Sequence, residues 1–124
     1  MDEKYRVLIV DDEREILSML SRYLNRSGKF DVTTQTNPVL AIDTLNNVSY
    51  DIILLDIMMP QMNGIEVVKE AKKIKPTQKF IMITAFSTED KMIECDAMGV
   101  TDYLTKPFIS MRDVENKVLD AINL

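Results

Sequence analysis

Short apolar runs alternate with amphipathic segments five times along the chain. The runs are Tyr5–Val10, Phe30–Thr34, Ile52–Leu55, Phe80–Ile83 and Val100–Leu104. Three of the five are solid blocks of β-forming residues, a pattern typical of parallel strands that are covered on both faces. The alternation therefore predicts βαβ units with right-handed crossovers, which build a parallel sheet with helices on both faces.

Signals that start or stop helices lie between the apolar runs. The segment from Glu13 to Ser27 ends before a glycine, and Asn37-Pro38 combines an N-cap residue with a proline at the first helical position. Ser87–Asp90 and Ser110–Asp113 have the spacing of a capping box, with Asp in place of Glu. Five strands in 124 residues favour the α/β, doubly wound, flavodoxin-like order 2-1-3-4-5. We expect residues 1–124 to form one domain.

Composition narrows the chemistry that this chain can perform. It has no histidine and one cysteine, Cys95, which excludes His-dependent triads and zinc sites built from Cys and His. Cys95 lies between two acids and is predicted to be structural rather than reactive. The net charge of −5 disfavours nucleic acid as a direct partner. Because the sequence shows no pattern of a signal peptide or of a membrane-spanning segment, we expect a cytoplasmic protein that does not bind a membrane.

Polar residues stand where four of the predicted strands end. The first strand is followed by Asp11-Asp12, the third by Asp56, the fourth by Thr84, and the fifth lies just before Lys106. In an open parallel sheet, ligands bind outside the carboxyl ends of the strands, where the strand order reverses. These five groups are therefore predicted to meet in one crevice.

Each of these residues also has a purely structural interpretation. Asp12 and Glu15 have capping-box spacing, Asp56 could shape a local turn, and Thr84 and Lys106 could be ordinary loop residues. None of these interpretations explains why all five groups converge. Clustered carboxylates repel one another unless a cation is present, and ligands that are all oxygens favour Mg²⁺, here at Asp12 and Asp56. Asp56 is then the natural acceptor of a phosphoryl group, with Lys106 neutralising phosphoryl oxygens.

Four stretches carry a resemblance to a known family. The chain contains "VLIVDDE", "DIILLDIMMPQMNG", "IMITA" and "DYLTKPF" in that order. In this combination it resembles the receiver domains of two-component response regulators over essentially all of its length. The resemblance implies a signalling phosphoprotein rather than a conventional enzyme. The phosphoryl donor would be a histidine on a sensor kinase or a histidine phosphotransfer protein, and a downstream effector or output domain would respond.

The resemblance also assigns roles to individual residues. It implies that Asp56 is the phosphoacceptor and that Asp11 and Asp12 hold Mg²⁺ with Asp56 and the backbone carbonyl of Met58. Thr84 and Lys106 correspond to the phosphate-contacting pair, and Tyr103 to the aromatic switch residue. The Lys106-Pro107 peptide bond is expected to be cis.

The first predicted helix has two apolar stripes. Leu17, Leu20 and Leu24 form one that can face the sheet. Ile16, Met19 and Tyr23 form a second, about a quarter turn away. The second stripe is either the edge of a broadly buried helix or, extended by Pro107 and Phe108, a docking face for the kinase-side helices.

Phosphorylation is predicted to operate a two-state switch. The loop from Thr84 to Ser87 should move inward, Tyr103 should follow, and the face built from the fourth helix, fifth strand and fifth helix should change shape for a partner. Met58 and Phe86, two positions beyond Asp56 and Thr84, could shield the acyl phosphate from water.

Two other functions fit parts of the pattern. A haloacid-dehalogenase-type phosphatase also forms an aspartyl phosphate. Enzymes of that type carry a D-x-D motif after the first strand, whereas the two acids here are adjacent. A receiver-shaped interaction module that takes no phosphate is the other. No output domain is visible after the fifth helix. The chain could therefore be a free-standing receiver, a phosphorelay intermediate, or part of a transcription factor or hybrid kinase.

Overall fold

A computed structural model describes residues 3–85 and 89–124 of the chain. Five parallel strands form one sheet in the order β2-β1-β3-β4-β5, which confirms the predicted flavodoxin-like topology. The strands are β1 (Tyr5–Val10), β2 (Phe30–Gln35), β3 (Ile52–Asp56), β4 (Phe80–Thr84) and β5 (Asp102–Thr105). The strand order reverses between β1 and β3, so a crevice opens between their carboxyl ends.

Helices cover both faces of the sheet, also as predicted. They are α1 (Arg14–Arg26), α2 (Pro38–Thr44), α3 (Gly64–Ile74), α4 (Glu89–Ala97) and α5 (Met111–Ile122). One apolar core lies between the sheet and α1 and α5, and the other lies between the sheet and α2, α3 and α4. Cys95 is fully buried in the second core, in line with a structural role. Within the described residues, no helix is long and apolar enough to cross a membrane.

The central strands are buried along their whole length. All five residues of β3 and of β4 are inaccessible to solvent or nearly so. A fully buried Ile, Leu or Val side chain contributes about 1.5–3 kcal/mol to folding. This burial anchors the strands firmly enough to hold charged groups at their ends.

Most predicted boundaries agree with the structure to within one residue. The exception is the fifth strand, which was predicted to start at Val100 and starts at Asp102. The N–H of Val100 donates to the carbonyl of Cys95 in α4, and Gly99 has φ = +77°. Val100 therefore belongs to the turn that follows α4, although its side chain is buried like that of a strand residue.

Two of the predicted helix caps are present. The Asn37 side chain accepts hydrogen bonds from Val39 N at 2.9 Å and Leu40 N at 3.4 Å. Ser110 Oγ accepts one from Asp113 N at 3.3 Å. The predictions of a cap at Ser87, of a moving loop from Thr84 to Ser87 and of a shielding role for Phe86 fall on residues 86–88, outside the described residues.

Candidate functional site

Asp56 is the last residue of β3 and lies at the floor of the crevice. It is 4% exposed. Its Oδ1 accepts a hydrogen bond from Met58 N at 3.1 Å, and its Oδ2 accepts one from Lys106 Nζ at 3.4 Å. A buried strand thus ends in a carboxylate that has few hydrogen-bond donors among the described residues and faces the open edge of the sheet.

The start of α3 supports the backbone of Asp56 from behind. Gly64 N donates to the carbonyl of Ile57 at 2.7 Å. A Cβ atom on Gly64 would lie 2.6 Å from the carbonyl oxygen of Asp56 and 2.8 Å from Ile57 Cα. Because backbone atoms cannot move aside as a side chain can, only glycine fits at this contact.

Three further acids follow β1. Asp11 is fully buried, and its Oδ1 accepts a hydrogen bond from Glu13 N at 2.8 Å. Asp12 and Glu13 are exposed. Carboxylate oxygens of Asp11, Asp12, Glu13 and Asp56 all lie within 4.8 Å of one another. The alternative that Asp12 caps α1 is wrong, because Glu13 is the N-cap residue and no described side chain makes a capping bond there.

Lys106 is the cation of this cluster. Its Nζ lies 2.9 Å from Glu13 Oε1, 3.0 Å from Asp11 Oδ2 and 3.4 Å from Asp56 Oδ2. Burial alone lowers the pKa of this ammonium, but its contacts with Glu13, Asp11 and Asp56 outweigh burial and raise the pKa above its ordinary value. Lys106 therefore stays charged across the physiological pH range.

The backbone holds Lys106 over the crevice. Lys106 N donates to the carbonyl of Thr84 at 2.8 Å, which continues the pairing between β4 and β5. The Lys106-Pro107 bond is cis, as predicted. Thr84 itself ends β4 and is 3% exposed. Because Asp56 pairs with Ile83 in register, the Thr84 side chain stands one residue farther along, at the same edge of the sheet.

The negative charge of the carboxylates at this site is only partly neutralised by the groups around them. Burial, followed by the negative charge of Asp11, raises the pKa of Asp56 from 3.8 to about 6. Asp11 Oδ2 is buried and accepts no hydrogen bond within the described part of the chain, and it forms an ion pair with Lys106 Nζ at 3.0 Å. Among the described residues, four carboxylates around one ammonium leave an excess of negative charge. This donor set of oxygens alone fits a hard divalent cation.

Tyr103 lies on β5 and contacts α4. Its hydroxyl is 2.6 Å from Asp96 Oδ1 and 3.1 Å from the carbonyl oxygen of Met92. Burial, followed by the hydrogen bond to Asp96, raises the pKa of Tyr103 above its ordinary value. The predicted switch residue is thus tied to α4 rather than to the acidic cluster.

The two stripes of α1 separate in the structure. Leu17, Leu20 and Leu24 are buried against the sheet, as predicted. Ile16 and Tyr23 are half-buried, and Met19 is 41% exposed. A groove of about 390 Å³ beside Met19 is lined by residues of α1 and by Met111 of α5.

The Lys106–Phe108 turn lies near the same helices. Pro107 is exposed, and Phe108 is half-buried against the core beneath α1 and α5. The second stripe is therefore neither fully buried nor fully free, and docking at these residues stays a prediction.

Three residues with a defined place in this region had no predicted role. Glu13 belongs to the quoted stretch "VLIVDDE", where its position next to two acids was the available signal. Gly64 ends the stretch "DIILLDIMMPQMNG", but nothing in the sequence shows that its Cα faces the Asp56 backbone. Asp96 lies seven residues before Tyr103, a spacing that carries no signal without the tertiary structure.

Comparisons with known proteins identify the family of the chain. Residues 7–119 match the family model of the response regulator receiver domain. The response regulator SaeR of Staphylococcus aureus (strain USA300) is 43% identical over 102 residues, which are 82% of this chain and 44% of that relative. The chain therefore spans less than half the length of this curated relative.

Solved structures give the same result. The receiver domain protein (CheY-like) from Methanospirillum hungatei JF-1 superposes with a TM-score of 0.90 at 27% identity, over 98% of this chain and 95% of the other. The chemotaxis protein CheY4 of Vibrio cholerae gives a TM-score of 0.89 at 28% identity, over 96% and 99%. The chain belongs to the response regulator receiver domain family.

Proposed function

We propose that this chain accepts a phosphoryl group on Asp56 from a phosphohistidine of a partner protein and relays its presence to a downstream effector. The observation that carries the proposal is the position of Asp56. It is a buried carboxylate at the end of a central strand, with one oxygen facing the Lys106 ammonium at 3.4 Å and with Asp11 beside it. No histidine is present in the chain, so the donor histidine has to come from outside.

The transfer is a substitution at phosphorus. An Asp56 carboxylate oxygen attacks, the new O–P bond forms as the bond between phosphorus and the histidine nitrogen breaks, and that nitrogen keeps the electron pair. Attack requires ionised Asp56, which the raised pKa of about 6 still provides at neutral pH. Lys106 stays charged and lies close enough to follow the developing charge on the phosphoryl oxygens.

Asp11, Asp12, Asp56 and the backbone carbonyl of Met58 would hold Mg²⁺. The buried Asp11 Oδ2, which accepts no hydrogen bond within the described residues and lies 3.0 Å from Lys106 Nζ, would be one ligand atom for such an ion. A bound Mg²⁺ would neutralise the carboxylates and the phosphoryl oxygens. Asp11 and Glu13 N contribute rigidity, because their hydrogen bond orients the Asp11 carboxylate.

The direct test is intact mass spectrometry after incubation with acetyl phosphate and Mg²⁺. Wild type should gain the mass of one phosphoryl group, and both Asp56→Asn and wild type in excess EDTA should not. Asp51→Asn is a matched control, because it removes a carboxylate at the opposite edge of the sheet and should be labelled like wild type. Unmodified wild type, or a labelled Asp56→Asn variant, would overturn the proposal.

We further propose that Thr84 and Tyr103 couple the phosphoryl group to the face formed by α4, β5 and α5. The Thr84 hydroxyl gains an acceptor on the phosphoryl group, and Tyr103 exchanges its contact with Asp96 for a position closer to Thr84. Thr84→Ala should accept phosphate on Asp56 and yet lose most of the change in the NMR resonances of Tyr103. Wild-type-like shifts in the phosphorylated variant would reject the coupling.

The partner on the kinase side would dock on Ile16, Met19 and Tyr23 of α1 together with Pro107 and Phe108. The exposed part of this stripe and the adjacent groove support the proposal. The output lies in a longer protein or in a separate effector, as the longer curated relative suggests. Met19→Glu and Tyr23→Ala should slow transfer from a kinase while leaving labelling by acetyl phosphate unchanged.

A further inference from the structure

One ammonium is shared by three carboxylates at the mouth of the site. Lys106 Nζ donates a hydrogen bond to Glu13 Oε1 at 2.9 Å and a longer one to Asp56 Oδ2 at 3.4 Å. Its contact with Asp11 Oδ2, at 3.0 Å, is an ion pair. The shortest and best-formed contact of Lys106 is thus with Glu13, a residue with no part in the proposed phosphoryl transfer.

The backbone of Glu13 is held in place independently of its side chain. Its N–H donates to Asp11 Oδ1 at 2.8 Å, and its carbonyl accepts from Ile16 N and Leu17 N at the start of α1. Although Glu13 is the N-cap residue, its side chain makes no capping bond. The carboxylate is therefore available to reach across the crevice, and Lys106, only 12% exposed in its side chain, meets it from the other side.

Lys106 and a divalent cation compete for the same oxygens. Within the described residues, Asp11 Oδ2 is a buried oxygen that accepts no hydrogen bond, and the Lys106 ammonium already lies 3.0 Å from it. A metal ion at Asp11 and Asp56 would repel the ammonium strongly at this distance. Glu13 is another anion that can retain Lys106 within reach of Asp56 when a metal ion displaces the ammonium from Asp11.

We propose that Glu13 is a positioning residue whose carboxylate shares the Lys106 ammonium with Asp11 and Asp56, and so weakens the hold of Lys106 on these two acids in competition with Mg²⁺. The inference rests on the proposed function, because it concerns how the same pocket is loaded. Without Glu13, Lys106 pairs more closely with Asp11 and Asp56 and becomes a stronger competitor of the metal.

Three substitutions distinguish the effect of the contact between Glu13 and Lys106 from the effect of the negative charge alone. Glu13→Gln removes the charge, and Glu13→Asp keeps the charge but shortens the side chain by one methylene, so that it no longer reaches Lys106. Both should weaken Mg²⁺ binding by roughly threefold to fivefold, near the upper end of what one ion pair at a protein surface contributes. Glu15→Gln is the matched control, since it removes the same charge from the first turn of α1, and no contact joins Glu15 to Lys106 among the described residues. It should change the affinity by less than about twofold.

The measurement is Mg²⁺ titration by calorimetry without any phosphoryl donor, so that the readout does not depend on phosphorylation. Labelling of Asp56 by acetyl phosphate at limiting Mg²⁺ should slow in parallel, and saturating Mg²⁺ should restore it. In a Lys106→Met background, Glu13→Gln should lose most of its effect on Mg²⁺ affinity, because the competitor is gone. Circular dichroism establishes that each variant is folded.

Several outcomes would overturn the inference. If Glu13→Asp binds Mg²⁺ like wild type while Glu13→Gln does not, the charge alone acts and no positioning is involved. Equal losses in Glu15→Gln, or an undiminished loss in the Lys106→Met background, would show that the effect does not pass through Lys106. If wild type is labelled and binds Mg²⁺ but the Glu13 variants behave like it, only this inference fails. If wild type is not labelled at all, the proposed function itself fails.

Discussion

The sheet holds charged and polar groups differently at its amino edge, where the strands begin, and at its carboxyl edge, where the strands end. At the amino edge, Asp51 Oδ2 accepts a hydrogen bond from Arg6 N at 2.7 Å, and Gln78 Nε2 donates to the carbonyls of Tyr50 and Lys79. Lys79 Nζ donates to the carbonyls of Ile122 and Leu124 at the end of α5. Every one of these polar side chains completes a backbone hydrogen bond, so this edge contributes to stability.

The carboxyl edge instead keeps its carboxylates poorly compensated. Asp11 Oδ2 has no hydrogen-bond donor among the described residues, and Asp56 has a pKa raised to about 6. Buried acids that repel each other lower the free energy of unfolding, so stability alone does not explain their presence. Poorly compensated carboxylates, more than the presence of charge, therefore distinguish the edge that carries the proposed site. Three substitutions test this difference, from the largest expected effect to the smallest.

Asp56→Asn should stabilise the fold at neutral pH in EDTA. Because the folded state raises the pKa of Asp56, ionisation of this group lowers the free energy of unfolding. The contribution of Asp56 to stability is therefore greatest below about pH 4 and falls as the pH rises to about 6. The substitution removes a penalty of about 3 kcal/mol at pH 7.5 and of only about 0.5 kcal/mol at pH 4. Urea unfolding at both pH values measures the difference. A variant less stable than wild type at pH 7.5 would show that the carboxyl edge is not strained.

Gly64→Ala should destabilise the fold and disturb Asp56 together. The new Cβ would lie 2.6 Å from the Asp56 carbonyl oxygen, and the resulting overpacking should cost about 2 kcal/mol, which exceeds the gain in helix propensity. Urea unfolding and the rate of labelling by acetyl phosphate should both decline. Gly28→Ala is the control, because its cost arises from φ = +77° far from the site and its labelling rate should match wild type. An unchanged labelling rate in Gly64→Ala would separate this contact from the site.

Asp51→Asn should give the smallest change, in the direction opposite to Asp56→Asn. It weakens the bond from Arg6 N by removing the charge on the acceptor, which should cost about 0.5–1 kcal/mol at pH 7.5. The same unfolding experiment measures it. A gain in stability here would mean that removing any acid from this acidic chain helps, and the contrast between the two edges would disappear.

The periodicity of the sequence predicted most of the fold. The order of strands and polar residues predicted that Asp11, Asp12, Asp56 and Lys106 would meet, with Thr84 at the same edge of the sheet. Local signals sufficed at Asn37 and Ser110, because an N-cap bonds within its own turn. They failed at Val100, where a residue with a strand-like side chain belongs to the turn that follows α4. They were also ambiguous at Asp12, whose spacing to Glu15 suits a cap that the structure gives to Glu13.

The alternation of buried strands and helices leaves few arrangements other than this topology, and the residues that follow the strands specify the acids and the lysine at the carboxyl edge. The balance of charge among these groups depends on the folded chain: which carboxylate lies nearest to Lys106, which oxygen of Asp11 accepts no hydrogen bond among the described residues, and why position 64 admits no side chain. These are distances between residues far apart in the chain. Their energies depend on burial and geometry that no local pattern of residues encodes.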